Sequence, residues 1–204
     1  MANALVSDPR IRRTRRLLQE AILALAEERD LVDITVRDIT ERAEVNRATL
    51  YLHYRNKEDL VNQALDALFQ EVTGDDRAFA GAHDWWSRDG VPPPVLAFVH
   101  HLDDRRALYR RLLGGFGANA FADRLRLYEH LEFLRIWEAM GLSALPGSPP
   151  ADLRAEVAMG IVQATVTWWL ERGGEAETPE MMAAWLWHLL TPLWYSATVI
   201  ATET

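Results

Sequence analysis

The chain has 204 residues, 49% of them hydrophobic and 25% charged, long enough to bury a core and too apolar for a disordered segment. It carries 22 Lys+Arg against 30 Asp+Glu, a formal charge of −8, which is not the basic balance of a general nucleic-acid or anionic-membrane binder. Cysteine is absent, which excludes disulfides, thiolate zinc sites, iron–sulfur clusters and cysteine nucleophiles. The N-terminus, MANALVSDPRIRRTRR, has no apolar signal region, so a cytoplasmic location is expected.

The apolar spacing predicts an all-α protein in which helices follow one another without strand-like alternation. Ser7 or Asp8 can cap a first helix with Pro9 at its first position; Leu17, Leu18, Ala21, Ile22 and Leu25 form its stripe, and it ends near Arg29. Thr35 opens a short second helix with Asp38 completing a variant of the capping box, and Ile39 and Ala43 facing inward. A turn at Glu44-Val45 leads to Asn46, which caps a third helix running to about His53, with Leu50 on its buried side. Asn56 caps a fourth, with Asp59 at its third position and a stripe of Leu60, Ala64, Leu65, Leu68 and Phe69. Residues 74–94 are rich in breakers, including three consecutive prolines. Helical patterns resume around 95–113, 120–140, 152–172 and 179–200.

The expected organisation is a small N-terminal domain over 10–72, a connection over 73–94 and a larger helical domain over 95–204. The uncharged stretch from Met181 to Thr202 is long enough for a membrane span. However, it contains His188, Pro192 and several hydroxyl residues and is flanked by acids, so a helix buried in a core or between two copies is expected instead.

Two short helices joined by a tight turn and braced by a longer one describe a helix-turn-helix, over residues 35–54, whose second short helix enters the DNA major groove. The segment ITVRDITERAEVNRATLYLHYRNKEDL, residues 34–60, resembles the tetracycline-repressor (TetR) family of bacterial transcription regulators. Ala43, Val45, Asn46, Thr49, Leu50, Tyr51, His53, Tyr54, Asn56, Lys57, Glu58 and Leu60 carry the resemblance. Beyond residue 72 the likeness is one of layout only. The position after Ala43 is usually glycine in that family and is Glu44 here; in a left-handed conformation this would cost roughly 1–2 kcal/mol.

Side chains at the start of a recognition helix reach base edges. Arg47 can pair bidentately with guanine O6 and N7, and Ala48 can touch a thymine methyl. Arg37 is a further base or phosphate candidate, and Thr35 and Asn46 belong to the same surface. Thr49, Tyr51 and His53 carry groups suited to phosphates, which set register rather than sequence preference. Lys57 would add charge at the N-terminus of the fourth helix, where backbone N–H groups already favour an anion. Arg10, Arg12, Arg13, Arg15 and Arg16 crowd the start of the first helix, against its dipole, and a DNA backbone nearby would reverse that penalty.

A half-site spacing of about 34–36 Å requires two recognition helices, hence a dimer. The resemblance implies that the last two long helices pair with those of a second copy, through Val157, Ile161, Ala164, Trp168, Trp185, Leu189 and Leu193. It also implies a small-molecule effector bound in the C-terminal domain. Wall candidates are Trp86, His100, Phe116, Phe121, Tyr128, Trp137 and Trp168, each of which has core packing as its competing role. Enzymatic readings find no site. Gly115 to Ala120 mimics a dinucleotide fingerprint without a preceding strand, His100-His101 lacks the spacing of a helical metal pair, and no G-x-S-x-G or P-loop occurs. No cofactor or metal is expected. The expected function is a sequence-specific, dimeric DNA-binding regulator, a repressor of a palindromic double-stranded operator released by an effector. The alternative is a helical ligand-binding protein whose head no longer binds DNA, favoured only by Glu44.

The charge divides unevenly. Residues 1–60 hold 11 Lys+Arg and 11 Asp+Glu, and residues 61–204 hold 11 and 19. The acidic excess and all eight tryptophans therefore belong to the C-terminal side, and the head keeps a local basic face.

Overall fold

The computed structural model describes residues 8–73, 90–114, 130–131, 133–138, 143, 148–173 and 176–195. Among these residues there is no strand. In chain order the helices are α1 (Pro9–Glu28), a 3₁₀ turn (Leu31–Asp33), α2 (Val36–Arg42), α3 (Arg47–His53), α4 (Lys57–Thr73), α5 (Pro93–Asp104), α6 (Arg106–Gly114), α7 (Ala151–Arg172), α8 (Pro179–Leu190) and the short α9 (Pro192–Tyr195).

Local chemistry accounts for the helix ends in the N-terminal part. Asp8 caps α1, its carboxylate accepting from the Arg10 N–H at 2.8 Å, with Pro9 at the first position. Thr35 and Asp38 form a reciprocal capping box at the start of α2: Thr35 Oγ1 accepts from Asp38 N, and Asp38 Oδ2 accepts from Thr35 N. The Thr35 hydroxyl also donates to Asp38 Oδ2 at 2.7 Å, and this bond, with the one from Thr35 N, holds the Asp38 carboxyl below the usual carboxylate range. Asn46 caps α3 by accepting from Ala48 N at 2.9 Å. Asn56 accepts from Asp59 N at 2.8 Å at the start of α4, while Asp59 reaches back to Arg55 N.

Leu18, Ile22 and Leu25 of α1, Ile39 of α2, Leu50 of α3 and Tyr54 just after it, and Leu60, Ala64 and Leu68 of α4 are buried together. Their core continues into the C-terminal helices. α1 packs on α6 as well as on α4, and α4 packs on α5. Farther out, α5 packs on α8, and α7 on both α6 and α8.

Two arginines of α6 tie the parts together. Arg111 donates through Nε to the Glu27 carbonyl at 3.0 Å, at the C-terminus of α1, and lies 3.4 Å from Asp30. Arg106 donates through Nη2 to the Trp169 and Gly173 carbonyls at 2.6 and 2.9 Å, closing the C-terminus of α7, with its guanidinium 4.4 Å above the Trp169 ring. Cations are favoured at helix C-termini for this reason. Gly173 is needed there: a Cβ would come within 2.4 Å of the Trp169 carbonyl oxygen.

Two expected helices divide. The pattern over 95–113 is two helices, α5 and α6, broken at Arg105, whose ψ of 30° leaves the helical region. The break lets α6 reach α1 and α7 while α5 follows α8. The pattern over 179–200 stops at Leu190, because Pro192 lacks the N–H a continuing helix would use; only α9 follows among the described residues. No described helix is long and apolar enough to cross a membrane. Of the expected 120–140 helix, residues 130–131 and 133–138 are described, and all are helical.

Candidate nucleic-acid interface

The turn between α2 and α3 is built entirely from backbone bonds. The Glu44 N–H donates to Glu41 O at 3.2 Å and the Val45 N–H to Thr40 O at 3.0 Å. This pair of bonds is the Schellman arrangement, which requires a left-handed residue between the helix end and the following chain. Glu44 is that residue, with φ of 54°, and no other described non-glycine residue has a positive φ. The departure from glycine is therefore accommodated at a local cost of roughly 1–2 kcal/mol, and the helix-turn-helix forms around it.

Ion pairs brace the motif against α1. Arg42 of α2 lies 2.7 Å from Glu28, and Arg29 lies 3.3 Å from Asp38. Thr40 is buried, its hydroxyl donating to the Val36 or Arg37 carbonyl.

α3 presents a clear inside and outside. Leu50 is fully buried, while Arg47, Ala48, Tyr51 and Leu52 are exposed and Thr49 and His53 are half-buried. Arg47 lies against Tyr51: its guanidinium is 5.8 Å from the ring centroid, and Nη2 donates to the Tyr51 hydroxyl at 3.4 Å. Such a contact aligns a long side chain on the outer face without taking it out of water. Arg37, also exposed, is paired with Glu41 at 2.6 Å one helical turn away. Burial, with Arg15 nearby, holds His53 below the usual histidine range.

Several expected contact residues have structural duties. Lys57 donates through Nζ to the Leu31 and Ile34 carbonyls, both at 2.9 Å, and so fastens the start of α4 to the 3₁₀ turn. The expectation of an ammonium held out for phosphate is corrected to that extent: two of its three donors point inward. The Thr35 hydroxyl and the Asn46 side-chain oxygen serve as helix caps. In the arginine run, Arg15 lies over the buried Tyr54 ring at 5.7 Å, and the Tyr54 hydroxyl donates to the Arg15 carbonyl at 3.4 Å. Burial pushes the Tyr54 hydroxyl up to about 12. Arg16 pairs with Glu20 at 3.3 Å, whereas Arg10, Arg12 and Arg13 stand on the outer part of the first turns. Sequence reasoning passed over Leu52, whose side chain is 82% exposed. Its spacing of four from Ala48 was the available signal.

Three of the expected effector-wall residues, Trp137, His100 and Trp168, lie among the described residues. Trp137 is fully buried, with the Arg154 guanidinium 4.5 Å from its ring. His100 is an exposed partner of Glu180 at 3.3 Å, joining α5 to α8. Trp168 is on the outer surface, edge-to-face with Trp185 at 6.2 Å. Trp86, Phe116, Phe121 and Tyr128 lie outside the described residues.

The residues expected to pair two copies do share one face. Val157, Ala164 and Trp168 of α7 and Trp185 and Leu189 of α8 are exposed, with Ile161 and Leu193 half-buried beside them. Leu153 and Met181 extend the same apolar surface. A shallow groove of about 450 Å³ runs between Ala164, Trp168, Trp185 and Leu189.

Comparison with known proteins bears on the N-terminal part most directly. Residues 18–64 match the family described as bacterial regulatory proteins, tetR family. Over 66 residues the chain is 44% identical to an uncharacterized HTH-type transcriptional regulator, YxbF, of Bacillus subtilis; the match spans 32% of this chain and 17% of that protein. It is 23% identical over 99 residues, 48% of each chain, to DhaS, the HTH-type dhaKLM operon transcriptional activator of Lactococcus lactis. Among solved structures, a DhaS chain superposes with a TM-score of 0.60 at 14% identity, covering 91% of this chain and 97% of its own. NalD, the secondary repressor of the MexAB-OprM multidrug efflux pump in Pseudomonas aeruginosa, superposes with a TM-score of 0.56 at 17% identity, covering 90% and 96%. At these identities the two superpositions establish the all-helical fold.

Proposed function

We propose that the chain, whose residues 18–64 match the bacterial regulatory proteins of the tetR family, is a sequence-specific, DNA-binding regulator of transcription that acts as a homodimer. The observation that carries the reading is the outer face of α3, held by a complete helix-turn-helix inside the matched segment. Arg47 stands exposed at its start, Ala48 is beside it and Tyr51 aligns the guanidinium. A guanidinium so placed suits guanine O6 and N7, and Tyr51, Thr49 and His53 suit the flanking phosphates.

A dimer places two such helices on successive turns of one DNA face. The exposed apolar face of α7 and α8 is the surface we assign to pairing, because two indoles and three aliphatic side chains facing water on adjacent helices form a patch that association would bury. Repression is the mode we assign, since occupation of a promoter by the dimer suffices for it. An effector bound in the C-terminal domain would release DNA through different affinities for the two head spacings. The shared core of α1 with α6 and of α4 with α5 supplies the mechanical connection for that. We assign the chain no catalytic role.

Selection from a pool of random duplexes, followed by mobility shift at two salt concentrations, tests the reading. The expected product is a palindrome with half-sites 10–10.5 base pairs apart, or a multiple, bound by a species of dimer mass in light scattering. Failure to enrich any duplex at about 50 mM salt overturns DNA binding, and a monomer at micromolar concentration overturns the pairing.

A further inference from the structure

Leu52 is the most exposed large apolar side chain among the described residues, at 82%. It stands on α3, the helix with the strongest claim on DNA, beyond the residues already given base-reading roles. Successive helical residues are rotated by about 100°, so positions two before and two after a given residue both lie within about 20° of the opposite direction. Leu50 is fully buried. Ala48 and Leu52 are its neighbours at two before and two after, and both are exposed. They form the crest of the helix, pointing straight away from the core, with Arg47 and Tyr51 along one flank and the half-buried Thr49 and His53 along the other.

A helix seated in the major groove sends its crest deepest. The apolar group that a base pair offers there is the thymine C5-methyl. Resting on the DNA-binding reading above, we propose that Leu52 is a specificity-determining residue that packs, with Ala48, on thymine methyls in each half-site. Ala48 and Leu52 are about 6 Å apart along the helix axis, close to two base-pair steps of about 3.4 Å. Arg47 precedes this pair, so the guanine it reads and the methyls read by the crest fall within one short block of the half-site. The crest is continuous with the polar flank that carries Arg47 and Tyr51, which assigns it to the same DNA rather than to a protein partner.

The test uses the full chain and the palindromic duplex it selects. Each symmetric pair of thymines is replaced in turn by deoxyuridine, which removes only the methyl. One buried methyl is worth about fourfold in affinity, so at the contacted position the symmetric replacement weakens binding by about fifteenfold. In Leu52→Ala, whose side chain is surface-exposed, the same replacement changes affinity less than about twofold, while Leu52→Met, which keeps an apolar end, retains the discrimination. Thermal unfolding of each variant should match the parent. The proposal is overturned if deoxyuridine at every position costs Leu52→Ala as much as it costs the parent. It is also overturned if Leu52→Ala binds the unmodified duplex unchanged, or if it alters the oligomeric state, which would make the crest a protein contact. Enrichment of no duplex at all overturns the DNA-binding reading and this proposal with it. A selected duplex without methyl coupling to Leu52 overturns this proposal alone.

Discussion

The chain presents two outward faces of opposite character. The crest and flanks of α3 are mostly polar: a guanidinium, a phenol and hydroxyl groups around a narrow apolar ridge. The face of α7 and α8 is broad and apolar, with Trp168, Trp185, Leu189, Val157, Leu153 and Met181 exposed. The first suits a polyanion, with an attraction that salt screens. The second suits another apolar surface, with an attraction to which salt is nearly indifferent. The difference separates two roles that the net charge of −8 blended into a single misleading number.

Breaking the apolar face should have the largest effect. Trp185→Asp with Leu189→Asp puts four carboxylates into a paired interface, and the expected result is a monomer in light scattering. Operator affinity should then fall by at least about a hundredfold, because the second head no longer contributes. A dimer that survives this double substitution would show that the two copies meet elsewhere.

Next is Arg47→Ala, expected to cost about 1–3 kcal/mol of operator affinity per half-site and to relax the preference at one base pair in each. Its counterpart is Arg12→Ala with Arg13→Ala, which removes four cations from a dimer and should weaken binding to all sequences alike and flatten the dependence of log affinity on log salt by up to about 3.6. Arg15 is left intact because it packs over Tyr54. An unchanged salt slope would remove the arginine run from the interface.

Glu44→Gly sharpens the comparison from the stability side. It relieves the left-handed penalty of roughly 1–2 kcal/mol, less about 0.5–1 for the added freedom of the unfolded chain. The net expectation is a stabilisation of about 1 kcal/mol or less, read as a small rise in the denaturant midpoint, with the operator unchanged.

The smallest effect concerns His53. Burial first, and Arg15 second, lower its pKa in the folded chain, so folding favours the neutral ring. The sign follows: the histidine costs no stability at neutral pH, and stability falls slightly as pH drops through the usual histidine value of about 6.5. A phosphate nearby would act in the reverse sense, so operator binding should take up protons and tighten by a few-fold as pH is lowered from about 7.5 to 6. Proton NMR titration of the ring with and without the duplex reads both. Identical titration in the two states would place His53 away from the phosphates.

Legibility differed in the same way between the two regions. The ends of α1, α2 and α3 were readable because they depend on local chemistry: Asp8, Thr35 with Asp38, and Asn46 each bond a backbone group two or three residues away. The left-handed Glu44 was readable as a possibility for the same reason. Lys57 was not, because its partners at Leu31 and Ile34 lie 26 and 23 residues back, and only folding brings those carbonyls to the start of α4. Leu52 was within reach, since Leu50 on the buried side turns it outward with Ala48, but only the structure shows how fully it is exposed. Trp137 and Trp168 show the limit most plainly. As residue types they are alike, yet one is sealed beneath Arg154 and the other faces solvent beside Trp185.

By itself the sequence determined the helical class, the two short capped helices with their turn, and the local basicity of the head, since capping, periodicity and charge act within a few residues. Tertiary structure decided which tryptophans are core and which are surface. It also broke 95–113 into α5 and α6, and seated Arg106 and Arg111 on the ends of α7 and α1. The two arginine seats join groups 63 to 84 residues apart, and no local pattern encodes the approach of one helix end to an arginine on another.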